Sequence, residues 1–143
     1  MIGGQAVDML SDEAVISEEQ LKFIHNKKTS ALIEASIISG GLLAGGSDEQ
    51  IAALRNYGEA IGLCFQIRDD ILDEIGDKEK LGKSVGSDES NNKLTYLSLY
   101  GLEGSIEKTK ELYKQAIKSL EVFEKEDVLF FEKFAEYLVY RES

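Results

Sequence analysis

The chain has 143 residues, room for one domain, and sets 16 Lys and Arg against 27 Asp and Glu for a formal net charge of −11. That balance argues against a general nucleic-acid binder and against a polybasic membrane anchor, because both need a basic surface. Hydrophobic residues make up 43 %, enough for a core, while the single cysteine, Cys64, and the single histidine, His25, exclude an internal disulfide, a cysteine-based zinc site and a two-histidine metal motif within this chain.

Residues 1–16 read as the tail of one element followed by a polar link. Residues 1–5 lack a basic segment followed by an apolar one, so no signal peptide is expected, and a soluble cytoplasmic protein is the default. Ser17-Glu18-Glu19-Gln20 is a capping-box pattern. Leu21, Ile24, Leu32, Ala35, Ile38 and Leu42 then keep helical spacing up to Gly45. The mainly apolar stretch 31–45 inside this run is too short to span a bilayer and carries Glu34.

Ser47-Asp48-Glu49-Gln50 repeats the cap pattern. Ile51, Leu54, Tyr57, Ile61, Phe65 and Leu72 mark one apolar stripe on a long helix expected to end near Gly76. Residues 76–91 form a polar stretch with Lys78, Lys80 and Lys83, predicted to be a loop, and longer than most connections in a compact domain. Helices are expected again over 93–100, 105–123 and 128–140. The chain contains no proline, so nothing breaks these runs except clustered glycines, read as joints at Gly40-Gly41, Gly45-Gly46, Gly101 and Gly104. No alternating strand pattern is visible. The fold class is all-α, an antiparallel helical bundle.

The chemistry centres on Phe65-Gln66-Ile67-Arg68-Asp69-Asp70-Ile71-Leu72-Asp73-Glu74. Positions i and i+4 share a helix face, so Asp69 and Asp73 are neighbours, with Asp70 about 100° round the axis. Like charges so placed repel, and a divalent cation reverses the sign of that interaction. Mg²⁺ suits one or two carboxylates because it keeps waters and substrate phosphates in its shell. The bland alternative is a solvated acidic face. The apolar run 61–65 before it and the lysines at 78, 80 and 83 just beyond it favour a magnesium diphosphate site over that alternative, while Lys27 and Lys28 on the preceding helix are either a solvated stripe or further phosphate donors.

In order, Gly3-Gly4-Gln5-Ala6-Val7-Asp8, the run 25–33 from His25 to Ile33, the run 57–73 from Tyr57 to Asp73, Leu81-Gly82-Lys83-Ser84-Val85-Gly86-Ser87-Asp88 and Lys93-Leu94-Thr95-Tyr96 resemble the trans-isoprenyl (polyprenyl) diphosphate synthases, in particular the C-terminal half of a bacterial farnesyl or geranylgeranyl diphosphate synthase. The resemblance runs along the whole chain. It implies a bundle of long helices around a cavity, with residues 1–143 as the C-terminal half of one synthase domain. The implied reaction is head-to-tail condensation, in which an allylic diphosphate ionises with the help of Mg²⁺ and isopentenyl diphosphate attacks the cation.

Carried over residue by residue, the resemblance makes Asp69, Asp70 and Asp73 the metal-binding aspartates. Lys28 and Lys83 grip the allylic diphosphate, and Thr29 and Gln66 line the reaction centre. Gln5 and Asp8 match a string near the allylic site, Lys93 faces diphosphate, and Arg141 is placed at the homoallylic substrate. The first aspartate-rich motif of the family is not in this sequence. The chain alone is therefore expected to be inactive and to expose cavity-lining apolar faces, and the complete protein to be a homodimer without nucleic-acid partner or membrane span. Leu97 stands where many members have proline, which leaves the start of that helix less sharply fixed.

Cys64 is expected in the core and His25 on a helix surface. Phe130, Phe131, Phe134, Tyr137 and Tyr140 are expected to pack the last helix. Two readings from other classes compete: a non-catalytic regulatory subunit of the same fold, disfavoured by the intact Asp69, Asp70, Asp73, Lys28 and Lys83 set, and an acidic helical binding module without ligand. A head-to-head synthase or terpene cyclase is disfavoured by the strings at 82–88 and 93–96.

Overall fold

A computed structural model describes residues 29–80 and 95–141, with side chains for 29–75 and 95–141. Among them are four α-helices and no strand: α1 (Thr29–Leu43), α2 (Asp48–Lys80), α3 (Tyr96–Ser119) and α4 (Lys125–Tyr140), with a 3₁₀ turn, Leu120–Val122, between the last two. The all-α expectation holds.

The α1–α2 corner follows from local chemistry. Gly45 has φ 77°, the left-handed conformation that costs glycine least. The Gly46 N–H donates to the Gly41 carbonyl at 3.0 Å and Gly45 N–H to Leu42 at 3.1 Å, the paired bonds of a Schellman stop. Two residues later Ser47 and Gln50 form the expected capping box: Gln50 N–H donates to Ser47 Oγ at 3.2 Å and Ser47 N–H to Gln50 Oε1 at 2.9 Å.

Helix α2 runs on to Lys80, past the stop expected at Gly76. A single glycine does not end a helix continued by Lys and Glu, both good helix formers. Lys78 and Lys80 therefore belong to helix backbone, not to a loop. Helix α3 starts later than expected, at Tyr96, because Thr95 caps it: Ser98 N–H donates to Thr95 Oγ1 at 3.2 Å and Thr95 N–H to Ser98 Oγ at 2.9 Å. That reciprocal pair fixes the helix start despite Leu97. The expected joint near residue 101 is present as a kink, with Gly101 at φ 68° and ψ 177°.

Helix α2 is the centre of the bundle and packs against all three other helices. Ser30 faces Gly62 and Glu34 faces Gly58, so α1 and α2 are antiparallel. Tyr57 Oη donates to the Phe131 carbonyl at 2.8 Å and Arg68 reaches Arg141, so α4 runs parallel to α2 and α3 returns between them. The core cluster joins Tyr57, Ile61, Cys64, Ile67 and Ile71 of α2 to Tyr96, Leu112 and Ala116 of α3, Leu120 of the 3₁₀ turn, and Val128, Ala135, Leu138 and Val139 of α4. Cys64 is fully buried, as expected, and desolvation pushes its thiol up to about 12, so it stays protonated and unreactive in the folded chain.

The aromatic stripe of α4 departs from expectation. Phe131 and Phe134 pack against the core, but Phe130, Tyr137 and Tyr140 are exposed. Val128, Ala135, Leu138 and Val139 share the inward face, and the other aromatics fall on the opposite one. No described helix is long and apolar enough to cross a membrane.

Candidate functional site

Gln66, Asp69, Asp70 and Asp73 follow one another at i, i+3, i+4 and i+7 on α2 and so form a single stripe. The core residues Tyr57, Ile61, Cys64, Ile67 and Ile71 occupy the other side of the same helix. Hydrophobic burial of that side therefore fixes the rotation of α2 and turns the carboxylates away from the core. Exposure rises along the stripe. Gln66 is buried, Asp69 and Asp70 are half-buried, and Asp73 is exposed. The expected common face for Asp69 and Asp73 is thus present.

Helix α1 lies beside that stripe at unusually close range. A Cβ on Gly62 would sit 2.7 Å from Ser30 Cβ and 2.8 Å from Ser30 Cα, and one on Gly58 would sit 3.0 Å from Glu34 Cα. The two glycines, four apart, make a flat strip on which α1 rests. Arg55 and Glu34 close the strip's outer edge with an ion pair at 2.8 Å. The antiparallel register places Thr29, half-buried, at about the level of Leu63, within a turn of Gln66. The structure thus brings Thr29 and Gln66, both expected at the reaction centre, to the same end of the α1–α2 pair. Sequence reasoning missed Gly58 and Gly62. Their signal is small–x–x–x–small spacing on one face of a helix.

Arg141 also meets this helix. It is seated on α2, where its guanidinium pairs with the Asp69 carboxylate and lies 4.6 Å from the centroid of the Phe65 ring. Arg68 Nε and Nη2 donate to the Arg141 carbonyl at 3.0 and 2.6 Å. Gln5, Asp8, Lys28, Lys83 and Lys93, together with the Ser17–Gln20 cap and His25, lie outside the described residues.

The donor set fits a hard divalent cation. Asp69 and Asp73 offer carboxylate oxygens one turn apart, and Asp69 already attracts a guanidinium. Among the described residues no three His, Cys, Asp or Glu side chains converge. An open groove of about 570 Å³, lined by Gly40, Gly41, Leu54, Phe123, Val128 and Phe131, lies at the opposite end of α2.

A family model described as polyprenyl synthetase matches residues 1–131. The chain is 46 % identical over 116 residues to a farnesyl diphosphate synthase of Bacillus subtilis, covering 81 % of this chain and 39 % of that protein. It is 44 % identical over 131 residues to the large subunit 2 of a heterodimeric geranylgeranyl pyrophosphate synthase of Arabidopsis thaliana, covering 90 % of this chain and 35 % of that one. Among solved structures, a geranyltransferase of Helicobacter pylori complexed with magnesium and isoprenyl diphosphate superposes with a TM-score of 0.70 at 32 % identity, covering 97 % of this chain and 45 % of that one. The chain thus spans less than half the length of these relatives.

Proposed function

Because this chain belongs to the polyprenyl synthetase family, we propose that it forms the C-terminal half of a synthase that joins an allylic diphosphate head-to-tail to isopentenyl diphosphate, yielding farnesyl or geranylgeranyl diphosphate. The observation that carries the reading is the stripe Gln66, Asp69, Asp70 and Asp73, turned away from the core on the helix that α1 flanks. Relatives named as farnesyl and geranylgeranyl diphosphate synthases support the substrate class.

In this reading Asp69 and Asp73 hold Mg²⁺, with Asp70 completing the site directly or through water. The bound ion supplies electrostatic stabilisation of the departing diphosphate. The chain's own residues do the rest. Lys28, Lys83 and Lys93 neutralise diphosphate oxygens, with Gln5 and Asp8 beside the allylic site. The oxygens of Thr29 and Gln66 face the developing carbocation, where a lone pair lowers the energy of positive charge. Close packing of α1 on the Gly58–Gly62 strip beside the stripe limits water, which would otherwise capture the cation. A homodimer in the cytoplasm completes the proposal, and the heterodimeric large subunits among the relatives name the alternative, a different partner chain.

The purified 143-residue chain, given geranyl diphosphate, isopentenyl diphosphate and Mg²⁺, is expected to form no longer prenyl diphosphate. Co-expressed with the N-terminal half of a relative, it is expected to form farnesyl or geranylgeranyl diphosphate, detected by chromatography of the dephosphorylated product. Product from the chain alone would overturn the division of the site between two halves. No product from the folded pair would overturn the assignment.

A further inference from the structure

Arg141 caps α4, where its N–H donates to the Tyr137 carbonyl, and one face of α2 holds its carbonyl and its side chain. Phe65, Arg68 and Asp69 stand at i, i+3 and i+4, so they share that face. The Phe65 ring carries the guanidinium, Arg68 takes the Arg141 carbonyl through two donors, and Asp69 pairs with the guanidinium itself. The Arg141 side chain is only 14 % exposed, so most of it is out of water. Its Nε finds no acceptor, so the guanidinium is held without its donors being saturated. A seat that excludes water yet leaves a donor unused is one the side chain can leave without losing a full set of bonds.

Asp69 is thus claimed twice: by Arg141 in this structure and by a cation in the reading proposed above. The guanidinium takes one Asp69 oxygen, and a divalent ion on the other would stand a few ångströms from it, where two positive groups repel. We propose that Arg141 is a latch on Asp69, so that binding of a divalent cation and seating of the Arg141 guanidinium on α2 exclude one another. The latch keeps the carboxylate neutralised when no cation is bound and frees a guanidinium when one arrives. Arg68 keeps the end of α4 nearby in both states, because it holds main-chain oxygen and not the side chain. The inference rests on Asp69 being a magnesium ligand.

The test follows the Arg141 Nε–H signal by ¹⁵N NMR in the 143-residue chain, with Arg141→Gln to assign it. Without metal the signal is expected to be rigid. Addition of Mg²⁺ is expected to make it mobile, and Asp69→Ala to make it mobile with no metal present. Arg141→Gln is expected to bind Mg²⁺ about fivefold more tightly by calorimetry, the strength of one ion pair of this kind, with Arg141→Lys, which keeps the charge and loses the fork, between the two. A mobile signal in the metal-free wild type would overturn the latch. Mg²⁺ binding with a rigid signal and no gain in Arg141→Gln would overturn it while leaving the functional reading intact. A signal freed by Asp69→Ala in a chain that binds no Mg²⁺ would overturn the exchange and the magnesium reading together.

Discussion

Asp69→Ala and Asp73→Ala, made in the complete synthase, are each expected to lower turnover about 10²- to 10³-fold, the range seen when one group that stabilises developing charge is removed. Charge separation is the difficult step in ionising an allylic diphosphate, so the loss falls on kcat more than on substrate affinity. Neither substitution removes a core contact. Asp73 is exposed and Asp69 is half-buried, while the core lies on the other side of α2. Helical content and melting temperature are therefore expected to change little, apart from about 1 kcal/mol or less where Asp69 leaves Arg141 without its partner. Glu121→Ala, which removes the same charge from an exposed turn, is the control and is expected to retain full turnover. Equal turnover in all three variants would favour an acidic binding module over a synthase.

Gly62→Val is the second large effect, and it acts on the fold first. Its Cβ would lie within 2.8 Å of the Ser30 main chain, and a backbone atom cannot swing aside as a side-chain tip can. Helix α1 must move outward, at about 1–3 kcal/mol, which lowers the melting temperature by about 4–12 °C for a chain of this size. The displacement also separates Thr29 from Gln66, so kcat in the complete synthase is expected to fall along with stability. Gly40→Ala supplies the opposite sign. Nothing stands within 4 Å of a Cβ there, Gly40 lies in α1, and alanine is favoured in a helix by about 0.5–1 kcal/mol. Thermal melts of the pair separate close packing from helix propensity. A Gly62→Val melt at or above the wild-type temperature would mean that the helices do not approach as described.

How much of this was legible in the sequence depended on how far apart the cooperating residues lie. The Ser47–Gln50 cap and the Gly45–Gly46 stop are written within a few residues, and so is the shared face of Asp69 and Asp73. The Thr95–Ser98 cap is equally local, but serine stands where a glutamate or glutamine is the usual partner, and the helix was expected to begin at Lys93. Gly76 misled in the other direction, since a joint glycine and a helix glycine look alike until the neighbouring turns are counted. The aromatics of α4 carry helical spacing on two faces at once. Spacing alone does not say that Val128, Ala135, Leu138 and Val139 point inward. The contact of Arg141 with Asp69, 72 residues apart, has no local signature at all. It exists because α4 runs parallel to α2 and ends level with the acidic stripe.

The central claim is that Asp69 and Asp73 form a metal-dependent diphosphate wall. Calorimetric titration of geranyl diphosphate into the complete synthase, with and without Mg²⁺ and again in Asp69→Ala, tests it most directly. Binding is expected to depend on Mg²⁺ and to weaken about tenfold or more in Asp69→Ala. Binding of equal strength without the metal, or unchanged by Asp69→Ala, would contradict it.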